Sequence, residues 1–156
     1  MIFQVYPADI AHFNDTEKLS GTPYPTFSAR DQDGIPVKLA DLKGKVVFIC
    51  FWEVTCAPCR AEMDDLNRLD STYSKAGVSF FGITDNDSSE VADFLDKKRF
   101  IFRILPAAFD QVRAAKVQGW PTAFLIDQTG IIRKVWLGLS SSPYEKYAKA
   151  IDKLLQ

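Results

Sequence analysis

The sequence predicts an α/β domain whose central mixed β-sheet carries helices on both faces. Short apolar runs rich in β-branched and aromatic residues, typical of buried strands, alternate with amphipathic helical patterns. Two pairs of such runs flank turn signals that contain glycine, so each pair predicts a β-hairpin. The predicted order is hairpin, β-α-β-α, hairpin and a final helix, with no internal repeat and no domain linker.

The composition is that of an ordinary globular protein. The chain has 156 residues, of which 47% are apolar and 25% charged, and its net charge of -1 comes from well-mixed acids and bases. This mixture gives no electrostatic footprint for nucleic acid or an anionic membrane. No apolar run reaches the roughly 18 residues of a membrane span, and residues 1 to 7 lack the basic and apolar regions of a signal peptide. We therefore expect no nucleic acid and no membrane contact by this domain.

The N-terminal part is predicted to hold an extension and then a hairpin. Residues 1–20 form either an extra strand or the end of a removed upstream segment, and we favour the second interpretation. The domain is expected to cover residues 21–156. Its first hairpin joins Thr26–Ala29 to Ile35–Leu39, and Asp33-Gly34 supplies the positive φ of the turn.

The next stretch carries two cysteines spaced C-x-x-C between a strand and a helix. Val46–Trp52 is predicted to be a strand covered on both faces, and a helix beginning near Ala57 accepts Pro58 in its first turn. Cys56 then lies beside unpaired N–H donors, which stabilise a thiolate, whereas Cys59 is more sheltered. An accessible thiolate with a sheltered partner is the arrangement that disulfide exchange requires.

Zinc sites use the same cysteine spacing but usually need a second pair of ligands. Cys50 lies in the preceding strand, and the single histidine, His12, is far away in the sequence. We therefore predict redox use, with no metal and no cofactor. In the middle of an apolar strand, Cys50 is interpreted as an inert core residue.

The following elements alternate between helix and strand. The first helix turns an apolar face to the sheet and ends near Ala76-Gly77, and Val78–Thr84 is a second buried strand. Asp87 to Glu90 predicts a capping box at the start of a helix that runs to about Lys98. The inward positions of the first helix are Met63, Leu66, Leu69 and Tyr73.

The last third predicts a short strand, a short helix, a second hairpin and a final helix. The predicted ranges are Phe102–Leu105, Gln111–Lys116, Ala123–Ile126 and Ile131–Leu137, with a turn at Asp127–Gly130. Ser142, Pro143 and Glu145 predict the cap of the final helix.

Together these motifs resemble the thioredoxin superfamily, and within it the membrane-anchored or secreted thiol:disulfide reductases of the TlpA and ResA type, which are related to the AhpC/TSA and Redoxin proteins. The motifs that carry the resemblance are Pro25-Thr26-Phe27, Asp33-Gly34, Leu39-x-x-Leu42-Lys43-Gly44-Lys45, Phe51-Trp52-x-x-x-Cys56-x-Pro58-Cys59-x-x-Glu62, Val117-Gln118-Gly119-Trp120-Pro121-Thr122 and Leu125-Ile126-Asp127-x-x-Gly130.

The resemblance implies a thioredoxin fold, a cis peptide bond before Pro121, and a redox-active disulfide in which Cys56 is the nucleophile and Cys59 the resolving residue. It also implies a protein disulfide substrate, a reducing partner protein, and an extracytoplasmic location such as the bacterial periplasm, although this chain shows no targeting segment. The expected substrate-binding residues are Trp52, Thr55, Trp120 and Pro121, with Ala57, Pro58, Arg60, Glu62 and Asp87 around the site.

Four positions differ from the family pattern. Thr55 replaces the usual Trp before the nucleophile, and Asp64 stands where a helix-kinking Pro is common. Trp120 is bulkier than the usual aliphatic residue. Cys50 occupies the strand position where thioredoxins carry a buried Asp, so that proton-transfer role is vacant or has moved. Asp87 is one replacement, although helix capping explains it without function, and Glu62 is explained equally by the helix dipole.

Three functions follow from these observations. The first is a disulfide reductase, because Ala57-Pro58 lacks the His that would favour an oxidising protein. The second is a peroxiredoxin-like thiol peroxidase, but its P-x-x-x-T-x-x-C pattern is absent and Glu53 stands three residues before Cys56. The third is a non-catalytic binding module on the same scaffold, which would need a His or Met ligand near the motif.

Overall fold

The computed structural model describes residues 15–156. Its strands are β1 (Ser28–Arg30), β2 (Pro36–Lys38), β3 (Val47–Phe51), β4 (Ser79–Ile83), β5 (Arg103–Leu105), β6 (Thr122–Ile126) and β7 (Ile132–Leu137). Its α-helices are α1 (Ala57–Tyr73), α2 (Ser88–Lys97), α3 (Phe109–Ala114) and α4 (Pro143–Leu155). Residues 1–14, with His12, lie outside this description, so the predicted boundary near residue 20 stays a prediction.

The central sheet is mixed, as predicted. Its strand order is β5-β4-β3-β6-β7. Strands β3, β4 and β5 run parallel to one another, and β6 pairs antiparallel with both β3 and β7. The strands β1 and β2 form a separate antiparallel hairpin. This arrangement confirms the thioredoxin-like α/β fold class and places β3, which leads to the cysteines, in the centre of the sheet.

Strand β3 is fully buried because both faces of the sheet are covered. Phe48 and Cys50 pack in the layer that contains α1, α2 and α4. Ile49 and Phe51 pack in the opposite layer with α3 and the N-terminal hairpin region. Alternate side chains of one strand therefore enter two different cores, which explains its continuous apolar sequence.

Most element boundaries agree with the sequence prediction to within one or two residues. The short helix α3 begins two residues earlier than predicted and ends before Lys116, whose φ of 54° is left-handed. The capping box of α2 is present, because Asp87 accepts from the Glu90 N–H and Glu90 accepts from the Asp87 N–H.

Ser142 is the N-cap residue of α4 and Pro143 lies in its first turn, as predicted, but the predicted capping box does not form. The Ser142 side chain accepts no hydrogen bond from the helix. Instead the Asp65 carboxylate of α1 accepts the Tyr144 N–H at 3.4 Å. A tertiary contact between α1 and α4 thus supplies the negative group that the helix N-terminus favours.

No helix within residues 15–156 is both long and apolar enough to cross a membrane.

The two hairpin turns are built around buried aspartates. Asp31 accepts the N–H groups of Asp33 and Ile35 and pairs with Arg103. Asp127 accepts the N–H groups of Thr129 and Ile131 and pairs with Arg133. Each carboxylate replaces a backbone acceptor inside its turn, so the two turns share one architecture.

We expect Asp127→Asn to weaken the acid sensitivity of the fold. Burial acts to raise the pKa of Asp127, but hydrogen bonds from Thr129, Ile131 and Arg133 outweigh it and lower the pKa to about 2. The unfolded chain then binds the proton more readily, so native stability falls as the pH drops from about 5 to 2, by about 2 kcal/mol for this group.

Denaturant unfolding at several pH values measures this difference. The Asp127→Asn protein should lose less stability than the wild type across that range, by about 2 kcal/mol. Asp93→Asn, at an exposed position of α2, is the matched control. Parallel acid profiles for the wild type and Asp127→Asn would refute the assignment.

Candidate functional site

The cysteine pair lies where β3 ends and α1 begins. Cys56 is the N-cap residue of α1, and its Sγ accepts the backbone N–H of Cys59 at 3.2 Å. Pro58 occupies the first turn, where its missing N–H costs no helical hydrogen bond. The Cys56 sulfur therefore sits at the positive end of the helix, where a thiolate is stabilised.

The two cysteines differ in exposure and are joined to each other. A disulfide links Cys56 to Cys59 across a Cα separation of 5.2 Å. Cys59 is only 1% exposed, whereas Cys56 is partly exposed. An incoming group can therefore reach the Cys56 sulfur more readily than the Cys59 sulfur.

A polar network holds the loop that precedes Cys56. The Glu53 carboxylate accepts the Thr55 N–H at 3.1 Å and also the Thr55 hydroxyl. The exposed Arg60 donates to the Val54 carbonyl at 3.1 Å. Asn86, from the loop after β4, binds both Val54 and Glu53. Neither Glu53 nor Asn86 was identified as a site residue from the sequence, because their partners are recognisable only in the folded chain.

The predicted contact between Trp52 and a substrate is wrong for this structure. Trp52 has no exposed surface and packs against Phe94 and Phe100 with ring centroids 5.1 and 5.4 Å away. Its indole fills the core behind the active-site loop, and a Cβ added to Gly82 would lie 3.0 Å from its Nε1 atom. Trp52 thus supports the site from inside.

A buried carboxyl group lies one helical turn after Cys59. Glu62 is only 1% exposed and lies beyond the first turn of α1, which holds no acidic residue, so its interpretation as a residue that merely favours the helix dipole is wrong. Its oxygens accept the Cys50 thiol at 3.6 Å and the Tyr147 hydroxyl at 3.3 Å. Burial raises the pKa of Glu62 to about 7, although both hydrogen bonds oppose this shift.

Cys50 is buried as predicted but is not isolated. Its thiol faces Glu62, and burial together with that carboxyl raises the pKa of Cys50 well above its usual range. The buried carboxyl group that faces this strand position comes from Glu62 on α1. Tyr147, the other partner of Glu62, lies on α4 and is 85 residues away in the sequence, so no local pattern predicts this contact.

The loop before β6 lies beside the end of β3, because Thr122 pairs with Phe51. The Trp120–Pro121 peptide bond is cis, and Trp120 is half-buried. The Pro121 carbonyl accepts the Gly138 N–H at 2.8 Å. Within residues 15–156 the backbone N–H and C=O of Trp120 make no hydrogen bond. An extended segment could pair with these two groups.

The remaining predicted residues have simpler environments. Thr55 and Ala57 are exposed, and the Asp87 carboxylate caps α2. No cluster of three or more metal-ligating side chains occurs in the part of the chain that the structure describes.

The chain is similar in sequence to known thiol-disulfide oxidoreductases. The AhpC/TSA family pattern matches residues 20–135. The chain is 34% identical over 145 residues to a thiol-disulfide oxidoreductase ResA of Bacillus cereus, a match that covers 89% of this chain and 83% of ResA. It is 35% identical over 128 residues to ResA of Geobacillus thermodenitrificans, covering 79% and 74% of the two chains.

A solved structure is similar as well. The crystal structure of a thiol:disulfide interchange protein of the thioredoxin family from Chlorobium tepidum has a TM-score of 0.75 and 29% identity. The similarity covers 87% of this chain and 97% of that one.

We expect Glu62→Gln to change how stability depends on pH. The native state binds the Glu62 proton more tightly than the unfolded chain, because the pKa rises from 4.5 to about 7. The wild type should therefore lose about 3 kcal/mol of stability at this group as the pH rises from 4 to 8. The Gln side chain has the same shape and does not ionise.

The oxidised proteins should be unfolded in denaturant at pH 4 and pH 8. Glu62→Gln should lose less stability than the wild type over this rise in pH, whereas Glu145→Gln, at an exposed position of α4, should follow the wild type. Equal losses of stability in the wild type and in Glu62→Gln would contradict this expectation, because they would mean that folding does not raise the pKa of Glu62.

Proposed function

The chain belongs to the AhpC/TSA family and is a thiol:disulfide oxidoreductase, and on this premise we propose that it reduces protein disulfides through Cys56 and Cys59. The observation that carries the proposal is the disulfide between a partly exposed sulfur at a helix N-terminus and a sheltered sulfur. Protein substrates and a redox partner are implied in general terms by the thiol-disulfide oxidoreductases that the chain resembles.

The proposed reaction is an exchange of one disulfide for another. In the reduced protein, the Cys56 thiolate attacks one sulfur of the substrate disulfide, which forms a mixed disulfide and releases a substrate thiolate. The Cys59 thiolate then attacks the Cys56 sulfur and releases the second substrate thiolate. Two electrons pass to the substrate, and a dithiol partner protein returns them by reducing the Cys56–Cys59 disulfide.

The buried carboxyl supports the second step. Cys59 must lose its proton before it attacks, and it is almost completely buried. Glu62 lies one helical turn away on the same helix, and its pKa of about 7 suits an acceptor that is deprotonated for much of the time at neutral pH. We assign Glu62 the role of receiving the Cys59 proton.

Substrate binding is proposed at the loop that contains Trp120. Its unpaired backbone N–H and C=O can add to an extended substrate segment in the manner of a β-strand. Thr55 and the exposed part of Trp120 would contact the substrate side chains. The proposal includes an extracytoplasmic location, which rests on the resemblance to the reductases of the ResA type.

The peroxidase alternative gains no support from the site. Glu53 stands where that chemistry needs a threonine, and its carboxylate is bound to Thr55 and Asn86.

We expect Cys59→Ser to trap substrates as mixed disulfides. Without the Cys59 thiol the intermediate loses its intramolecular route of release, which is fast because of its high effective concentration. Trp120→Val in the Cys59→Ser background should widen the trapped set, because a large indole excludes bulky segments. Mass spectrometry after non-reducing electrophoresis identifies the trapped proteins.

The double variant Cys56→Ser/Cys59→Ser is the matched negative control and should trap nothing. Cys56→Ser alone should abolish insulin reduction, and full activity of that variant would refute the proposed function. If the Trp120→Val set is the same as the parent set, Trp120 serves only in packing.

A further inference from the structure

Resting on the proposed function, we propose that Asn86 is a positioning residue that holds the Glu53 carboxylate beside the nucleophile, and that this carboxylate makes the cysteine pair a stronger reductant. We call Asn86 and Glu53 together the Asn86–Glu53 clamp. The inference concerns residues outside the C-x-x-C motif and outside the loop that carries Trp120.

Asn86 is fixed by its side-chain bonds. It is 8% exposed, and its Oδ1 accepts the Val54 N–H at 3.0 Å and the Thr84 hydroxyl at 2.9 Å. Its Nδ2 donates to Glu53 at 3.2 Å and to Glu90 at 3.1 Å. The amide thus has both acceptor and donor partners, and it connects the end of β4, the start of α2 and the loop before Cys56.

An amide is required for this set of partners. Oδ1 meets two donors while Nδ2 meets two carboxylates, and an aspartate could not donate to either carboxylate. An aspartate here would add a third negative group to Glu53 and Glu90. The neighbouring Asp87 caps α2, whereas Asn86 binds the segment before Cys56.

The clamp determines where the Glu53 charge lies. One carboxylate oxygen accepts from Asn86, and the other accepts the Thr55 N–H and hydroxyl. Thr55 directly precedes Cys56. The carboxylate is therefore bonded to the residue that directly precedes the reactive cysteine.

Other charged groups lie on the segments around the cysteine pair. Arg60 binds the Val54 carbonyl from α1, and the helix N-terminus favours a negative charge. Glu62, with Cys50 and Tyr147, lies on the buried side near Cys59. Among these groups, Glu53 is the exposed-side carboxylate that is bonded to the loop before Cys56.

The effect on the redox equilibrium follows from charge. Reduction of the disulfide by dithiothreitol converts one protein disulfide and one dithiol into one protein dithiol and one cyclic disulfide, with two electrons and two protons transferred. A nearby carboxylate disfavours the Cys56 thiolate but acts little on the uncharged disulfide. It therefore shifts the equilibrium towards the disulfide, which corresponds to a stronger reductant.

The test measures the equilibrium of the purified protein with mixtures of reduced and oxidised dithiothreitol at pH 8 and pH 5. Glu53→Gln retains hydrogen-bonding atoms and removes the charge, so it should favour the reduced protein by about three- to tenfold at pH 8. A tenfold change corresponds to about 30 mV for this two-electron couple. The difference should shrink at pH 5, where the thiolate is protonated, and a purely structural role would not give this pH dependence.

Glu90→Gln is the matched control, because Glu90 is bound by the same Asn86 amide but does not contact Thr55. It should change the equilibrium less than twofold. Asn86→Ala should shift it in the same direction as Glu53→Gln, and it should add less than twofold in the Glu53→Gln background.

The inference is overturned if Glu53→Gln stays within twofold of the wild type at pH 8, or if Glu90→Gln shifts the equilibrium as much. Either result leaves the proposed function intact, provided that the wild type reduces insulin. A Cys56–Cys59 pair that is not reversibly reduced at all would instead refute the proposed function.

Discussion

The position of the first turn of α1 determines the surroundings of the Cys56 sulfur, because that sulfur accepts a hydrogen bond from the turn. The Cys59 N–H that reaches Cys56 Sγ belongs to a helix that begins where β3 ends. Strand β3 is central in the sheet and enters both cores, so the start of α1 is tied to the most buried part of the fold. Helix α4 packs against α1, and the Asp65 carboxylate of α1 accepts the Tyr144 N–H in the first turn of α4.

Two glutamates lie on the segments that carry the cysteine pair, one in the core and one on the loop before Cys56. Glu62 lies in the core beside Cys50 and Tyr147, where burial keeps it protonated to higher pH than a surface glutamate. Glu53 lies on the loop side, bound by Asn86 and Thr55. In the proposed mechanism, Glu62 receives the proton of the sheltered sulfur, and Glu53 opposes negative charge on the exposed sulfur. The division follows from burial, because the two residues have identical side chains.

Local signals in the sequence predict the parts of the fold that local interactions determine. The β3 strand, the start of α1 at Ala57 and the capping box at Asp87 all depend on residues within a few positions of one another. The failures depend on distant partners. The side-chain acceptor at the start of α4 is Asp65 on another helix, and the Glu62 carboxyl is bonded to Tyr147 from the last helix. No sequence motif identifies Asn86, because its partners Val54 and Glu53 come close to it only in the folded chain.

If the helix N-terminus makes Cys56 the reactive sulfur, the order in which the cysteines of the reduced protein are alkylated will show it. Limited iodoacetamide treatment across a pH series, followed by peptide mass spectrometry, gives the labelling rate of each cysteine. We expect Cys56 to be labelled first, and the pH midpoint of its labelling rate to lie below that of free cysteine at about 8.5. Cys59 and Cys50 should be labelled more slowly. Preferential labelling of Cys59 or Cys50 would contradict it.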